Sequence, residues 1–291
     1  MKIVDLHAHF YPAFMAEDPE VWAKSVGENY WGFLMGKRED GKTPLQGFPS
    51  EEKFLGDMAK ADVSRSVIQG WYWENSATCQ IANECAAKFC LANPDKISAF
   101  AAVNPADEGE ALKIVKSARF QGFAGVGEIH DGVQKFDFLS GAFGKFARAC
   151  GEEGLPICVH LTEESQRNYR GKIPTNNAAA FEAARRFPQT KFIFAHWAGS
   201  QSFFDLKPPP NVLLDSAATP LLFRADTSAW KIIPAILPDS CAFGTDYPIR
   251  LYPKKFKQEE LQTIVSEAIA NVPKECAEKF FHGNAERFLA L

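Results

Sequence analysis

The chain has 291 residues, of which 46% are hydrophobic and 13% aromatic, 25 of them phenylalanine, and its formal net charge is -4. This composition provides for a large buried core, excludes a disordered chain, and lacks the basic footprint that nucleic-acid backbones select. No apolar run nears the roughly 18 residues of a membrane span and no basic leader opens the chain, so a cytoplasmic protein with neither membrane nor nucleic-acid partner is expected.

The chain opens on Lys2-Ile3-Val4-Asp5-Leu6-His7-Ala8-His9-Phe10, an apolar run whose first strand is expected over 2–6 and which closes on a histidine pair. Side chains at i and i+2 share a strand face, so His7 and His9 project together with Asp5 beneath them. Seven further apolar runs follow, at 66–71, 97–103, 123–129, 156–160, 191–195, 212–215 and 241–245. Most are continuous rather than alternating, as in parallel strands buried on both faces. Helical patterns occupy most gaps: about 51–61, 76–92 before Asn93-Pro94, 108–118, 142–150 before Gly151, 177–187 before Pro188, and 258–270. Alternation sustained over eight rounds predicts a single (β/α)8 TIM barrel spanning 1–291. The rival, an open doubly wound sheet, lacks the Gly-x-Gly-x-x-Gly that a nucleotide site would place after its first strand.

Two stretches depart from the alternation. Residues 11–50 carry Trp22, Tyr30, Trp31, Phe33, Met35 and Phe48. That aromatic content disfavours disorder, and a lid-like insertion over the barrel mouth is expected. Pro208-Pro209-Pro210 makes 205–211 a rigid connector. The seven cysteines are odd in number, scattered and free of Cys-x-x-Cys pairs, which signals neither a disulfide framework nor a thiolate zinc site. Cys158 reads as a small core residue.

Nearly every expected strand ends in a residue suited to metal chemistry. After His7 and His9 come Glu128 in Gly125-Val126-Gly127-Glu128-Ile129-His130, His160, His196, and Asp246 in Gly244-Thr245-Asp246. Strand C-termini are where a barrel carries its active site. Five of the six histidines lie there, and His282 lies elsewhere. Imidazole and carboxylate donors suit zinc, with manganese as the second choice, and an incomplete protein shell leaves room for an activated water. A glutamate in an apolar strand needs a cation or hydrogen bonds to be buried.

In order and spacing along the whole chain, Asp5-Leu6-His7-Ala8-His9, His160, Ala195-His196-Trp197-Ala198-Gly199, Gly244-Thr245-Asp246-Tyr247-Pro248 and His282-Gly283-Asn284-Ala285-Glu286-Arg287-Phe288 resemble the amidohydrolase superfamily, particularly its amidohydrolase-related branch. The resemblance implies a divalent metal, one or two ions, held by His7, His9, His160 and Asp246. It makes His196 a ligand or a catalytic imidazole, and Asp246 also the residue that moves protons. The carboxylated lysine with which many two-metal members bridge their ions has no counterpart, since no lysine lies between Lys116 and Lys135. Gly127-Glu128-Ile129 is instead similar to the stretch in TatD-type members whose glutamate contacts metal.

The expected reaction is hydrolysis of a small organic ester, lactone or amide by a metal-activated water. The alternative is non-oxidative decarboxylation of an unsaturated or aromatic carboxylic acid, known in the same branch. His130, Trp71 and Trp197, with the neighbouring Tyr72 and Trp73, are candidate walls for a flat substrate. Arg250, and after strand five Arg167 or Arg170, are candidate carboxylate clamps. The expected partner is a small-molecule substrate, and homo-oligomer formation stays open.

Overall fold

Eight parallel strands pair in chain order: β1 (Val4–Ala8), β2 (Arg65–Ile68), β3 (Ile97–Ala101), β4 (Gly125–Ile129), β5 (Ile157–Val159), β6 (Phe192–Phe194), β7 (Val212–Asp215) and β8 (Cys241–Ala242). The backbone closes the ring just beyond β8, where Phe243 O accepts from Leu6 N at 2.9 Å and Asp246 N donates to His7 O at 2.8 Å. This computed structural model describes residues 1–37, 43–164, 169–200, 207–223, 226–250 and 261–291. The architecture is the (β/α)8 TIM barrel that the alternation predicts. Among the described residues no helix is long and apolar enough to cross a membrane.

The expected helices form close to their expected bounds. They are Glu51–Lys60, Ser76–Ala92, Glu108–Ala118, Gly141–Glu152, Asn177–Arg186 and Leu261–Asn271. Several begin at a side-chain cap: Ser50 accepts from Lys53 N, Asp107 from Glu110 N and Ser140 from Phe143 N. Helices at Ser228–Ile236 and Lys274–Glu278 form where no helical pattern was read. The first contains Pro234, which obscures its periodicity. Residues 205–206 of the proline connector and 258–260 of the last expected helix lie outside the described residues.

Val4, Leu6, Val67, Phe100, Cys158, Ile193, Leu213 and Ala242, drawn from seven strands, meet in one small buried cluster that forms the inner layer. The Ala285 and Leu289 side chains join it from the C-terminal helix Asn284–Leu289. β4 contributes only backbone there, because a Cβ on Gly125 would lie 2.4 Å from the Phe100 ring. The larger cluster fills the space between strands and helices.

The register shifts in two strands, between Asp5 and Ala8 of β1 and between Val126 and Ile129 of β4. Such bulges re-aim side chains at barrel rims. In β1 the shift corrects the simple alternation. Asp5 is turned to backbone and hydroxyl donors, accepting from His7 N at 3.2 Å, Thr245 N at 2.9 Å and Thr245 Oγ1 at 2.6 Å. Burial pushes its carboxyl up to about 7 against those bonds. In β4 the shift contains Gly127, whose φ is +100° and whose Cβ would stand 2.3 Å from the Cys158 carbonyl oxygen. Only glycine fits that turn of the backbone.

The insertion after β1 folds into helices α1 (Ala13–Glu17), α2 (Pro19–Val26) and α3 (Asn29–Met35); residues 38–42 lie outside the described residues. Trp22, Trp31 and Phe48 of this stretch share an aromatic cluster with Tyr11 and with Trp73 beyond β2. Buried Glu28 holds the insertion to that loop by accepting from Glu74 N at 2.8 Å and Asn75 N at 3.0 Å.

Candidate metal centre and active site

The strand ends bring two sets of donors together. In the first, His7 Nε2 lies 3.3 Å from His9 Nε2, and His9 Nε2 lies 3.2 Å from Asp246 Oδ1. Glu128 Oε2 stands 3.8 and 3.7 Å from the two imidazole nitrogens. In the second, the other oxygen of the same carboxylate, Glu128 Oε1, lies 2.9 Å from His160 Nδ1 and 3.6 Å from His196 Nε2, which are 3.1 Å from each other.

The tautomers of His7, His9 and His196 follow from what their far nitrogens touch. His7 Nδ1 donates to Asp215 Oδ2 at 2.7 Å, and His9 Nδ1 donates to the Gln69 carbonyl at 3.3 Å. His196 Nδ1 donates to the Ala217 carbonyl at 3.2 Å. Each leaves a lone pair on Nε2, so His7 and His9 aim two lone pairs at one point only 3.3 Å apart. That arrangement is repulsive unless a metal ion or a shared proton lies between them, and the raised His7 imidazole is the group that would hold such a proton. A divalent ion about 2.1 Å from its ligands spaces them about 3.0–3.5 Å apart, close to the spacing seen here. The donor set fits a metal, and it fits with the second nitrogens already held.

Electrostatics run the same way. Burial alone would raise the Glu128 carboxyl, yet the His160 and His7 imidazoles hold it well below its ordinary value. Asp246 is likewise lowered, burial being outweighed by His9, His196 and His7. His7 is raised despite its burial, by Asp215 and Glu128. Burial pushes the Cys158 thiol up to about 12, which keeps it protonated at neutral pH although it sits beside His7 and Asp215.

A cavity of about 510 Å³ opens onto these donors and is lined by His9, Glu128, His160, His196 and Asp246. His130 and Trp71 line it as expected from the sequence, and so does Tyr72, stacked on Trp71 with ring centres 4.2 Å apart. Tyr30, Leu34, Met35, Leu45 and Gln46 place the insertion in its wall, and Gln46 Nε2 donates to Asp246 Oδ1 at 3.2 Å. Lys172 and Glu163 face it as an ion pair of 2.9 Å.

Two expected substrate contacts lie elsewhere. Trp197 is fully buried, stacks against Phe280 and donates from Nε1 to Thr219 Oγ1 at 2.7 Å. Its direction is set by a left-handed turn, with φ between 53° and 74° from His196 to Gly199, that turns His196 to the cavity and sends Trp197 into the helix layer. Arg250 donates from Nη1 to the Pro44 and Gln46 carbonyls, at 3.0 and 2.8 Å, and so clamps the insertion. Arg170 does line the cavity, donating to the Phe33 carbonyl with its guanidinium over the Phe33 ring, whereas Arg167 lies outside the described residues. Trp73 joins the aromatic cluster rather than the main cavity.

The sequence reading missed Asp215, which closes β7 and accepts from His7 Nδ1 and from His196 N at 3.0 Å. Its signal was available: an acid ending the apolar run Val212-Leu213-Leu214, the same pattern that marked Asp246. Gln69, whose carbonyl fixes His9, carries no such signal because a backbone oxygen is supplied by any residue.

A family model described as amidohydrolase matches residues 4–291. The fold is similar to that of 5-carboxyvanillate decarboxylase from Sphingomonas paucimobilis, with a TM-score of 0.72 and 16% identity over 100% of this chain and 99% of that one. It is similar also to 2,6-dihydroxybenzoate decarboxylase from Rhizobium, with a TM-score of 0.67 and 16% identity over 100% and 99%. A third is 5-carboxyvanillate decarboxylase from Novosphingobium aromaticivorans, complexed with manganese and 4-hydroxy-3-methoxy-5-nitrobenzoic acid, with a TM-score of 0.72 and 16% identity over 100% and 96%. At such identities the likeness is one of fold. Among curated proteins no sequence matches.

Proposed function

Because this chain belongs to the amidohydrolase family, we propose that it is a metal-dependent non-oxidative decarboxylase of an aromatic or unsaturated carboxylic acid. The observation that carries this reading is the aromatic wall beside the donor cage. Trp71 and Tyr72 are stacked, Tyr72 lies against His130 and His160, and Leu161, Leu221, Leu222 and Ile249 add apolar wall. Such a wall suits a planar ring. The three similar structures, all decarboxylases of aromatic acids, support the same reading. Hydrolysis of an ester, lactone or amide, the first expectation from the sequence, has less support than this alternative.

His7, His9, Asp246 and Glu128 Oε2 are the proposed metal ligands, and Glu128 Oε1, His160 and His196 form a second set that could share or extend the site. Manganese has better support than zinc, since one of the similar structures holds it. When bound, the ion supplies positive charge that orients the oxygens of the acid and stabilises electron density building up in the ring. Asp246 and His196, both at the cavity, are the proposed proton carriers. One of them delivers a proton to the carbon bearing the carboxylate. The bond to the carboxylate carbon then breaks, its electron pair returns to the ring, and carbon dioxide leaves. Solvent restores the proton to the carrier.

The test is turnover by manganese-loaded protein on a panel of substituted benzoates and unsaturated carboxylic acids, followed by carbon dioxide release. Release that stops with chelator and returns with manganese is expected. Turnover of esters, lactones or amides without carbon dioxide would overturn the reading.

A further inference from the structure

His130 is 1% exposed, lines the cavity, and stands apart from both sets of donors. Its Nδ1 accepts the Gly132 backbone N–H at 3.2 Å. A ring nitrogen that accepts from a backbone amide carries no proton, so the hydrogen of the imidazole sits on Nε2. Among the described residues Nε2 has no hydrogen-bond partner.

The ring is held rigidly. It stacks on His160 with centres 4.8 Å apart and planes 7° from parallel, and Tyr72 meets it edge-on at 5.0 Å. Gly132, which fixes the tautomer, has no room for a side chain: a Cβ there would lie 2.6 Å from the Pro174 carbonyl oxygen and 2.7 Å from Ile173. At the cavity wall water can accept from this N–H, so a ligand that displaces the water without accepting in its place leaves the donor unpaired at a cost.

We propose that His130 is a specificity-determining residue that donates its Nε2 hydrogen to an oxygen substituent on the substrate ring. The assignment rests on the reading of this cavity as a site for aromatic acids. The ligands named for the similar structures already carry ring oxygens besides the carboxylate; what the assignment adds is the side chain of this chain that meets such an oxygen. A protein that accepts an unsubstituted ring leaves this donor unpaired, and discrimination follows from that loss.

The experiment measures binding, not turnover. Benzoate and 2-, 3- and 4-hydroxybenzoate are titrated into manganese-loaded protein by calorimetry, for the wild type, His130→Phe and His130→Gln. Phenylalanine keeps the ring and removes the donor; glutamine places an N–H near the position of Nε2. The wild type is expected to bind at least one hydroxybenzoate roughly 3- to 10-fold more tightly than benzoate, the worth of one hydrogen bond. That preference is lost in His130→Phe and retained at least in part in His130→Gln. Melting curves verify that the variants are folded, and should His130→Phe not fold, loss of the preference in His130→Ala takes its place. Equal or absent binding of all four probes by the wild type overturns the proposal, as does a preference unchanged without the donor. Absence of carbon dioxide release would defeat the decarboxylase reading alone, since the binding preference does not depend on turnover.

Discussion

His7 Nδ1 lies 2.7 Å from Asp215 Oδ2, 208 residues away in the chain, and both groups are fully buried. This contact decides which nitrogen His7 turns toward His9. Asp215→Asn keeps the shape but removes the charge that holds the imidazole proton on Nδ1. Metal affinity is expected to fall about 10- to 100-fold, as it does when such supporting partners are lost. Competition with a chromogenic chelator measures it, and an unchanged affinity in a folded variant would show that His7 needs no such support.

Metal removal is expected to lower thermal stability. Without the ion, His7 Nε2 and His9 Nε2 at 3.3 Å have at most one shared proton between them, and the contacts of the ion with His7, His9, Asp246 and Glu128 are lost. Manganese at a hundred times its dissociation constant stabilises by about 2.7 kcal/mol, a rise in Tm of about 4 °C for a chain of this size. The rise should vanish in His9→Ala. A variant that still gains the full shift would place the ion elsewhere.

Gly127→Ala tests the bulge that presents Glu128. The added methyl would meet the Cys158 carbonyl oxygen at 2.3 Å, at a φ of +100°. The expected loss is about 2 kcal/mol or more in denaturant unfolding, together with weaker metal binding as Glu128 is displaced. Stability and metal affinity equal to wild type would mean that β4 can straighten without consequence.

Glu28 gives a pH-dependent stability. Its burial raises the carboxyl above the ordinary value, against the lowering by hydrogen bonds from Glu74, Thr78 and Asn75. A raised carboxyl favours the folded state most where it is protonated. Its contribution is therefore full below the unfolded value and declines as pH rises through the folded one. Glu28→Gln cannot titrate, so its stability relative to wild type should increase between pH 4 and pH 7. Parallel stability curves for the two proteins over that range would refute the assignment.

Much of this protein was legible from the chain alone. The eight strands of a parallel barrel are short, continuous apolar runs, and the helices between them carry their own caps and stops, so both are written in local sequence. Because every parallel strand points the same way, a polar residue at the end of such a run must arrive at one rim. That makes His7, His9, Glu128, His160, His196 and Asp246 legible together from the chain itself.

What local sequence could not decide was where each of those side chains aims and what stands behind it. The bulges in β1 and β4 depend on pairing with distant strands, and they leave Asp5 bonded to the His7 backbone and Thr245 while Glu128 stands between two donor sets. Trp197 follows His196 in sequence, yet a left-handed turn sends it into the packing. Arg250 spends its donors on carbonyls of an insertion some 200 residues earlier. The pattern of apolar and polar residues determined the barrel and the rim that carries the chemistry, since both follow from strand direction. The tautomers, the cavity wall and the partners of each histidine were decided by tertiary structure, because they rest on backbone atoms and register that no side-chain identity encodes.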